Sequence, residues 1–168
     1  MSEILTSAYL RNTDFKISLE PKNADFILRK YDMAQSQRKR IFIAEDHPIF
    51  RDGLRAMFNS LSDYEVVGEA EDGIEALRCV EKFKPDLVVL DLSMPRMNGL
   101  KALKEIKERF PATKVLILTI HDSKEYVVPA LRTGADGYIL KTDTQADLLK
   151  AIKSIFEGKR FVSPGISQ

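Results

Sequence analysis

The sequence predicts a doubly wound α/β domain, a five-stranded parallel sheet with helices on both faces. Three observations carry that expectation. From Arg40 onward, short apolar runs alternate five times with amphipathic stretches of helical length. The third run, Leu87, Val88, Val89 and Leu90, is apolar without a break, as a strand covered on both faces requires. Four of the runs close on a charged or hydroxyl side chain: Glu45-Asp46, Asp91, Thr119 and Lys141. In an open parallel sheet, strand ends of that kind face one crevice.

The elements follow in order. "RIFIAE" (40–45) reads as the first strand, and the helix over 48–61 opens with Pro48, which suits a first helical turn. "YEVVGEA" (64–70) is the second strand and 73–83 the second helix. "DLVVLD" (86–91) is the third strand, after which Pro95 and Gly99 mark a loop and Asn98 suits the cap of a helix over 99–110. "KVLILTI" (114–120), a helix near 123–134, "GYILK" (137–141) and a helix over 144–158 complete the alternation, with Gly134 and Gly158 closing the last two helices. Right-handed crossovers then place all five strands parallel.

Composition narrows the function classes. Lys and Arg number 26 against 25 Asp and Glu, a net charge of +1, so no global basic field holds nucleic acid. The single cysteine, Cys79, cannot pair within the chain and reads as an inert core thiol in a reducing compartment. No apolar stretch reaches the length of a membrane span, and Thr6, Ser7, Arg11 and Asn12 interrupt any signal-like run at the start, so the expectation is a soluble, cytoplasmic protein without membrane contact. Residues 1–37 are polar with scattered apolar positions and are expected to form a flexible extension. The basic cluster Arg38, Lys39, Arg40 reads as the solvated end of that segment.

A buried strand that ends on a carboxylate needs a compensating partner, because an unpaired buried charge costs several kcal/mol. Two or three carboxylates with room for water suit a hard octahedral cation, Mg²⁺ before zinc, since no cluster of Cys and His accompanies them. An ammonium and a hydroxyl beside that cation are the groups that hold a phosphoryl oxygen. A carboxylate facing Mg²⁺ can attack phosphorus and form an aspartyl phosphate, and Asp91, alone at the central strand, is a better nucleophile candidate than Glu45 or Asp46. His47 and His121 lack a second His or Cys nearby and read as surface or partner-contact residues, while Met94, Pro95 and Met97 shape the loop after Asp91.

"RIFIAEDHPIFRDGLRAMF", "DLVVLDLSMPRMNGL" and "KVLILTIHDSKEYVVPALRTGADGYILK", with the spacing between them, resemble the receiver domain of response regulators, in the version found in NarL/FixJ-type proteins, over about residues 38–160. The resemblance implies a flavodoxin-like, CheY-like fold. It implies that Asp91 accepts a phosphoryl group from a sensor histidine kinase or phosphotransfer protein, with Asp46, Asp91 and the backbone carbonyl of Ser93 around Mg²⁺ and Glu45 bound mostly through water. It further implies that Lys141 and Thr119 contact the phosphoryl group, and that Tyr138 is the aromatic switch whose ring turns inward when Thr119 moves. The surface of the fourth helix, fifth strand and fifth helix is where such domains dimerise or meet partners. On this reading the protein is a switch rather than a turnover enzyme, residues 161–168 begin a linker, and no DNA binding by this chain is expected.

Two positions depart from the family pattern. Ile120 follows Thr119 where many relatives carry a small residue, so access to the phosphoryl group is expected to be narrowed. Thr142 follows Lys141 where many receivers have Pro, which leaves the isomer of that peptide bond open. Three functional readings stand: a receiver controlling transcription through a DNA-binding domain absent from this chain, a stand-alone receiver acting through a protein partner, and a metal-dependent phosphatase or phosphotransferase with an aspartyl-phosphate intermediate. The last requires a second catalytic acid, typically two residues beyond the nucleophile, where Ser93 stands instead.

Overall fold

A computed structural model describes residues 38–166. The expected extension at 1–37 lies outside the described residues. Six strands and five helices alternate: β1 (Lys39–Ala44), α1 (Pro48–Asn59), β2 (Tyr64–Ala70), α2 (Gly73–Phe83), β3 (Leu87–Leu90), α3 (Gly99–Arg109), β4 (Lys114–Thr119), α4 (Lys124–Thr133), β5 (Gly137–Leu140), α5 (Gln145–Phe156) and β6 (Phe161–Val162). The strand order is β2-β1-β3-β4-β5-β6 and every pairing is parallel. After β2 the chain crosses to the other side of β1, so β1 and β3 flank the point where the winding reverses. Ligand crevices open at that point in sheets of this class.

Successive residues of a strand face opposite sides of the sheet, which explains why the central strands carry unbroken apolar runs. Phe42, Val88, Leu90, Val115, Ile117 and Tyr138 pack against α2, α3 and α4 on one face. Ile41, Ile43, Leu87, Val89, Leu116, Leu118 and Ile139 pack against α1 and α5 on the other. Both layers are shut from water, with Leu103, Ile106, Phe58 and Ile152 fully buried beneath their helices.

The helix ends follow local chemistry. Pro48 opens α1, and the Asn98 side chain accepts from Lys101 N–H at 3.0 Å to cap α3. Thr144 and Asp147 form a reciprocal capping box on α5. Gly134 closes α4 at φ 105°, in the left-handed region that favours glycine. Among the described residues there is no cis peptide bond, so Lys141–Thr142 is trans.

Two expectations are corrected. The sheet gains a sixth strand: residues read as the start of a linker pair with β5, with Gly137 opposite Phe161 and Tyr138 opposite Val162, and Ser163 N–H bonds to the Tyr138 carbonyl at 2.8 Å. A two-residue strand is too short to show a period in the sequence. β1 begins one residue before the expected strand start at Arg40, so Lys39 of the basic cluster is a strand residue, its Nζ over the Phe156 ring at 5.2 Å, while Arg40 N–H bonds to Asp86 Oδ2 at 2.8 Å. Cys79 is partly buried, and that burial pushes its thiol up and keeps it protonated, as expected of an inert thiol.

At the opposite edge from the crevice, Asp136 joins α3, β4 and β5 by accepting from Lys107 Nζ, from Lys114 Nζ at 3.2 Å and from Val115 N–H at 2.9 Å. Burial alone would raise its carboxyl, but these bonds outweigh burial and hold it below the usual carboxylate range. A carboxylate depressed in the folded state stabilises fully above its unfolded pKa of about 3.9, and that contribution fades as pH falls through the folded value. Asp136→Asn is therefore expected to cost about 1.5–3 kcal/mol in urea unfolding at pH 7. The gap from the parent should narrow at about pH 3, and a gap independent of pH would contradict this assignment.

Candidate functional site

The crevice is built from backbone outward. The parallel ladder runs one residue past the strands on that edge: Glu45 N–H bonds to Ala70 O at 3.0 Å, Asp91 N–H to Ala44 O at 2.9 Å and Lys141 N–H to Thr119 O at 2.8 Å. The main chain of three polar residues is thereby held as firmly as the strands themselves. Gly99 seals the floor: a Cβ there would collide with the Asp91 carbonyl, and Gly99 N–H bonds to Leu92 O at 3.0 Å.

The side chains converge. Lys141 Nζ lies 2.9 Å from Asp91 Oδ2 and 2.6 Å from Glu45 Oε2, and sits 4.9 Å from the centre of the Phe50 ring. Glu45 and Asp91 are 2 % and 1 % exposed, so this ammonium neutralises carboxylates that water cannot reach. Burial works against the Lys141 charge, but the bonds to Glu45 and Asp91 outweigh it and raise its pKa. Lys141 is thus a full ammonium at neutral pH.

One ammonium does not satisfy three carboxylates. Oxygens of Glu45, Asp46 and Asp91 and a nitrogen of His47 lie within 4.8 Å of one another. Asp91 Oδ1 and Asp46 Oδ1 are buried without a hydrogen-bond partner. His47 Nδ1 comes within 2.9 Å of Asp46 Oδ1, but its hydrogen bond goes to Glu45 Oε1 at 3.0 Å. Orphaned carboxylate oxygens aimed into one gap are what a hard cation relieves, and a set of three carboxylates with a single imidazole fits Mg²⁺ better than zinc. Arg51, which the sequence did not single out, donates to the Glu45 carbonyl at 2.7 Å and to Glu71 at 2.9 Å, bracing the acidic corner from α1.

Of the sequence-predicted residues, Glu45, Asp46, Asp91 and Lys141 form one constellation. Thr119 is fully buried at the end of β4, and its hydroxyl accepts from His121 N–H at 3.4 Å. Tyr138 is fully buried and inward, its hydroxyl donating to the His121 carbonyl at 2.8 Å. Burial, and then the charges of Asp122 and Asp91, push that phenol well above its ordinary value, so it stays a donor. Ser93 is exposed beyond Asp91, its hydroxyl 2.7 Å from His121 Nε2. His121, expected as a surface or partner-contact residue, ties three elements together, since its ring also stacks on Tyr126 at 4.0 Å. Residue type alone gave no signal of that role. Ile120 is 66 % exposed at the rim.

Comparison with known proteins agrees with this fold. Residues 41–153 match the family described as the response regulator receiver domain. The transcriptional regulatory protein DegU of Brevibacillus brevis is 36 % identical over 81 % of this chain and 58 % of its own length. The oxygen regulatory protein NreC of Staphylococcus aureus is 45 % identical over 73 % of this chain and 57 % of its own. The chain therefore spans less than three fifths of the length of these relatives. Among solved structures, a LuxR-family two-component response regulator from Aurantimonas sp. SI85-9A1 has a TM-score of 0.74 at 38 % identity, covering 78 % of this chain and 94 % of that one. The isolated receiver domain of RcsB from Salmonella enterica serovar Typhimurium, in the presence of the phosphomimetic BeF3⁻, has a TM-score of 0.72 at 30 % identity, covering 77 % and 96 %.

The excess of carboxylates makes a prediction about stability. Asp91→Asn removes one negative charge from the cluster while keeping an acceptor for Lys141. Without divalent metal the variant is expected to be more stable than the parent by about 1–3 kcal/mol, on the repulsion of close charges at an effective dielectric near 20. Added MgCl₂ should raise the melting midpoint of the parent more than that of the variant. A variant less stable than the parent in metal-free buffer would contradict the charge balance described here.

Proposed function

The chain belongs to the response regulator receiver family, and from that premise we propose that it is a phosphoryl-accepting switch of two-component signalling. Asp91 takes the phosphoryl group of a phosphohistidine on a sensor histidine kinase or phosphotransfer protein, with Mg²⁺ as cofactor. The single observation that supports this best is the Asp91 carboxylate: one oxygen is held by Lys141 and the other is buried with no partner, at the carboxyl edge of the central strand.

The chemistry assigns each residue a task. A carboxylate oxygen of Asp91 attacks phosphorus, an O–P bond forms, the P–N bond of the donor breaks, and its electron pair returns to the imidazole nitrogen. Asp46, Asp91 and the Ser93 carbonyl would hold the metal, and Glu45 would add negative charge beside it. Bound Mg²⁺ supplies charge neutralisation for the phosphoryl oxygens and the carboxylates around them. Lys141, already on Asp91 Oδ2, moves with its ammonium onto a phosphoryl oxygen. Thr119 turns its hydroxyl from His121 N–H toward the new group. The phosphoryl group adds about −1.5 to −2 charge and biases the His121 loop, which the Tyr138 hydroxyl already grips.

One phosphoryl group per chain makes this a switch rather than a turnover enzyme. The receiver is read as residues 38–160, with β6 adding Phe161–Val162 to its sheet. In two relatives the matched region is part of a longer transcriptional regulatory protein, which favours output through a DNA-binding domain over a stand-alone receiver signalling to a protein partner. One solved relative is described as two RcsB dimers bound to two parallel DNAs. That favours self-association as the output of this receiver. Among the described residues no helix is long and apolar enough to cross a membrane.

Light-scattering mass, measured with MgCl₂ and beryllofluoride as a mimic of the aspartyl phosphate, tests this reading. The parent is expected to shift from monomer toward dimer and Asp91→Asn to stay unchanged. A parent that remains monomeric would transfer the output to a different protein partner.

A further inference from the structure

The loop between β3 and α3 carries Ser93, and its far end is gripped by a device that the phosphoryl chemistry does not use. Asp72 is a buried carboxylate, 2 % exposed, at the N-cap of α2. Its Oδ1 accepts from Ile74 N–H at 2.8 Å and Glu75 N–H at 3.0 Å, which is all that capping requires. Its Oδ2 is paired with the guanidinium of Arg96 in the β3–α3 loop. An asparagine or serine would cap the helix equally well, so capping alone does not account for a buried charge here.

Arg96 is unusual on its own terms. Its φ is +60°, left-handed, a conformation that glycine adopts freely and a β-carbon resists. Its side chain is 63 % exposed but that of its partner Asp72 is 3 % exposed, so the pair sets the neutralisation of a buried carboxylate against the strain at Arg96. A strained arginine is not needed to complete the cap, which the Asp72 carboxylate makes on its own. What it does supply is a tether. Beside it, Gly73 N–H bonds to the Met97 carbonyl at 3.2 Å, and a Cβ on Gly73 would collide with Met97, so α2 and the loop meet backbone to backbone. At the near end Gly99 N–H holds Leu92 O at 3.0 Å. Ser93 lies between these ties.

We propose that Asp72 and Arg96 are positioning residues that fix the β3–α3 loop so that the Ser93 carbonyl faces the metal position beside Asp46 and Asp91. The inference rests on the reading of that cluster as a Mg²⁺ site. Groups that orient a metal's ligands change affinity about 10–100-fold when removed. Here the tether acts one step further out, on backbone.

The test separates positioning from folding because Mg²⁺ affinity is read apart from metal-free stability. Backbone-amide chemical-shift titrations with MgCl₂ on the full chain give the Mg²⁺ dissociation constant of the parent, Arg96→Gly, Arg96→Lys and Asp72→Asn, and thermal melts without metal give their midpoints. Arg96→Gly relieves the left-handed strain but leaves the buried Asp72 without its ion-pair partner, two opposed effects on the midpoint, while its dissociation constant is expected to rise by roughly tenfold. Asp72→Asn, which keeps the cap, should weaken Mg²⁺ similarly, and Arg96→Lys should fall between. Dissociation constants within twofold of the parent in both Arg96→Gly and Asp72→Asn would overturn the proposal, whatever the midpoints do. A parent showing no Mg²⁺-dependent shifts at Glu45, Asp46 and Asp91 would instead overturn the metal reading and this inference with it.

Discussion

The contact between the Lys141 ammonium and the carboxylates of Glu45 and Asp91 is the interaction on which the site depends. Both acids are shut from water, and each would be expelled or neutralised without a cation. Lys141 can reach both only because β1, β3 and β5 end on one edge, with the ladder carried one residue further at Glu45, Asp91 and Lys141. Yet the ammonium leaves Asp91 Oδ1 and Asp46 Oδ1 unmatched. The folded chain therefore carries a local shortage of positive charge at the point where the sheet winding reverses. A site short of positive charge, beside a nucleophilic oxygen, is prepared for a divalent cation and for the anionic group that cation brings.

The sheet supplies rigidity and the loops supply response. The strands are packed on both faces, so the polar ends project from a platform with little freedom. Around them the ties are single hydrogen bonds: Thr119 to His121 N–H, the Tyr138 hydroxyl to the His121 carbonyl, and Ser93 to the His121 ring. Such bonds exchange partners at low cost. A change at Asp91 that draws Thr119 away would be felt first at His121, and then at Tyr138, whose own carbonyl holds Ser163 and the β6 segment. The chain leaving α5 is thus joined to the same tyrosine.

Much of this was legible in the sequence because strand ends in a parallel sheet obey a simple geometry. The unbroken run before Asp91 marked a central strand, and the charged or hydroxyl residues closing the other runs fell on the same edge, so Glu45, Asp46, Asp91 and Lys141 could be brought together on paper. Where the pattern is set by backbone geometry, the reading failed or was silent. Two residues of β6 are too few to show a period. The left-handed backbone of Arg96, an arginine where glycine is favoured, leaves no trace in composition. Asp72 looked like any acid before a helix, and its second role needs a partner 24 residues away. His121 was read from residue type alone, and only packing shows it wedged between Ser93 and Tyr126.

The central claim is that Asp91 is the acceptor, and peptide mapping by mass spectrometry after treatment with a small phosphoramidate donor tests it most directly. The account predicts one phosphoryl group per chain, on the peptide containing Asp91, formed with MgCl₂ and not with EDTA, and absent from Asp91→Asn. A phosphoryl group on another residue, or equal labelling of Asp91→Asn, would contradict it.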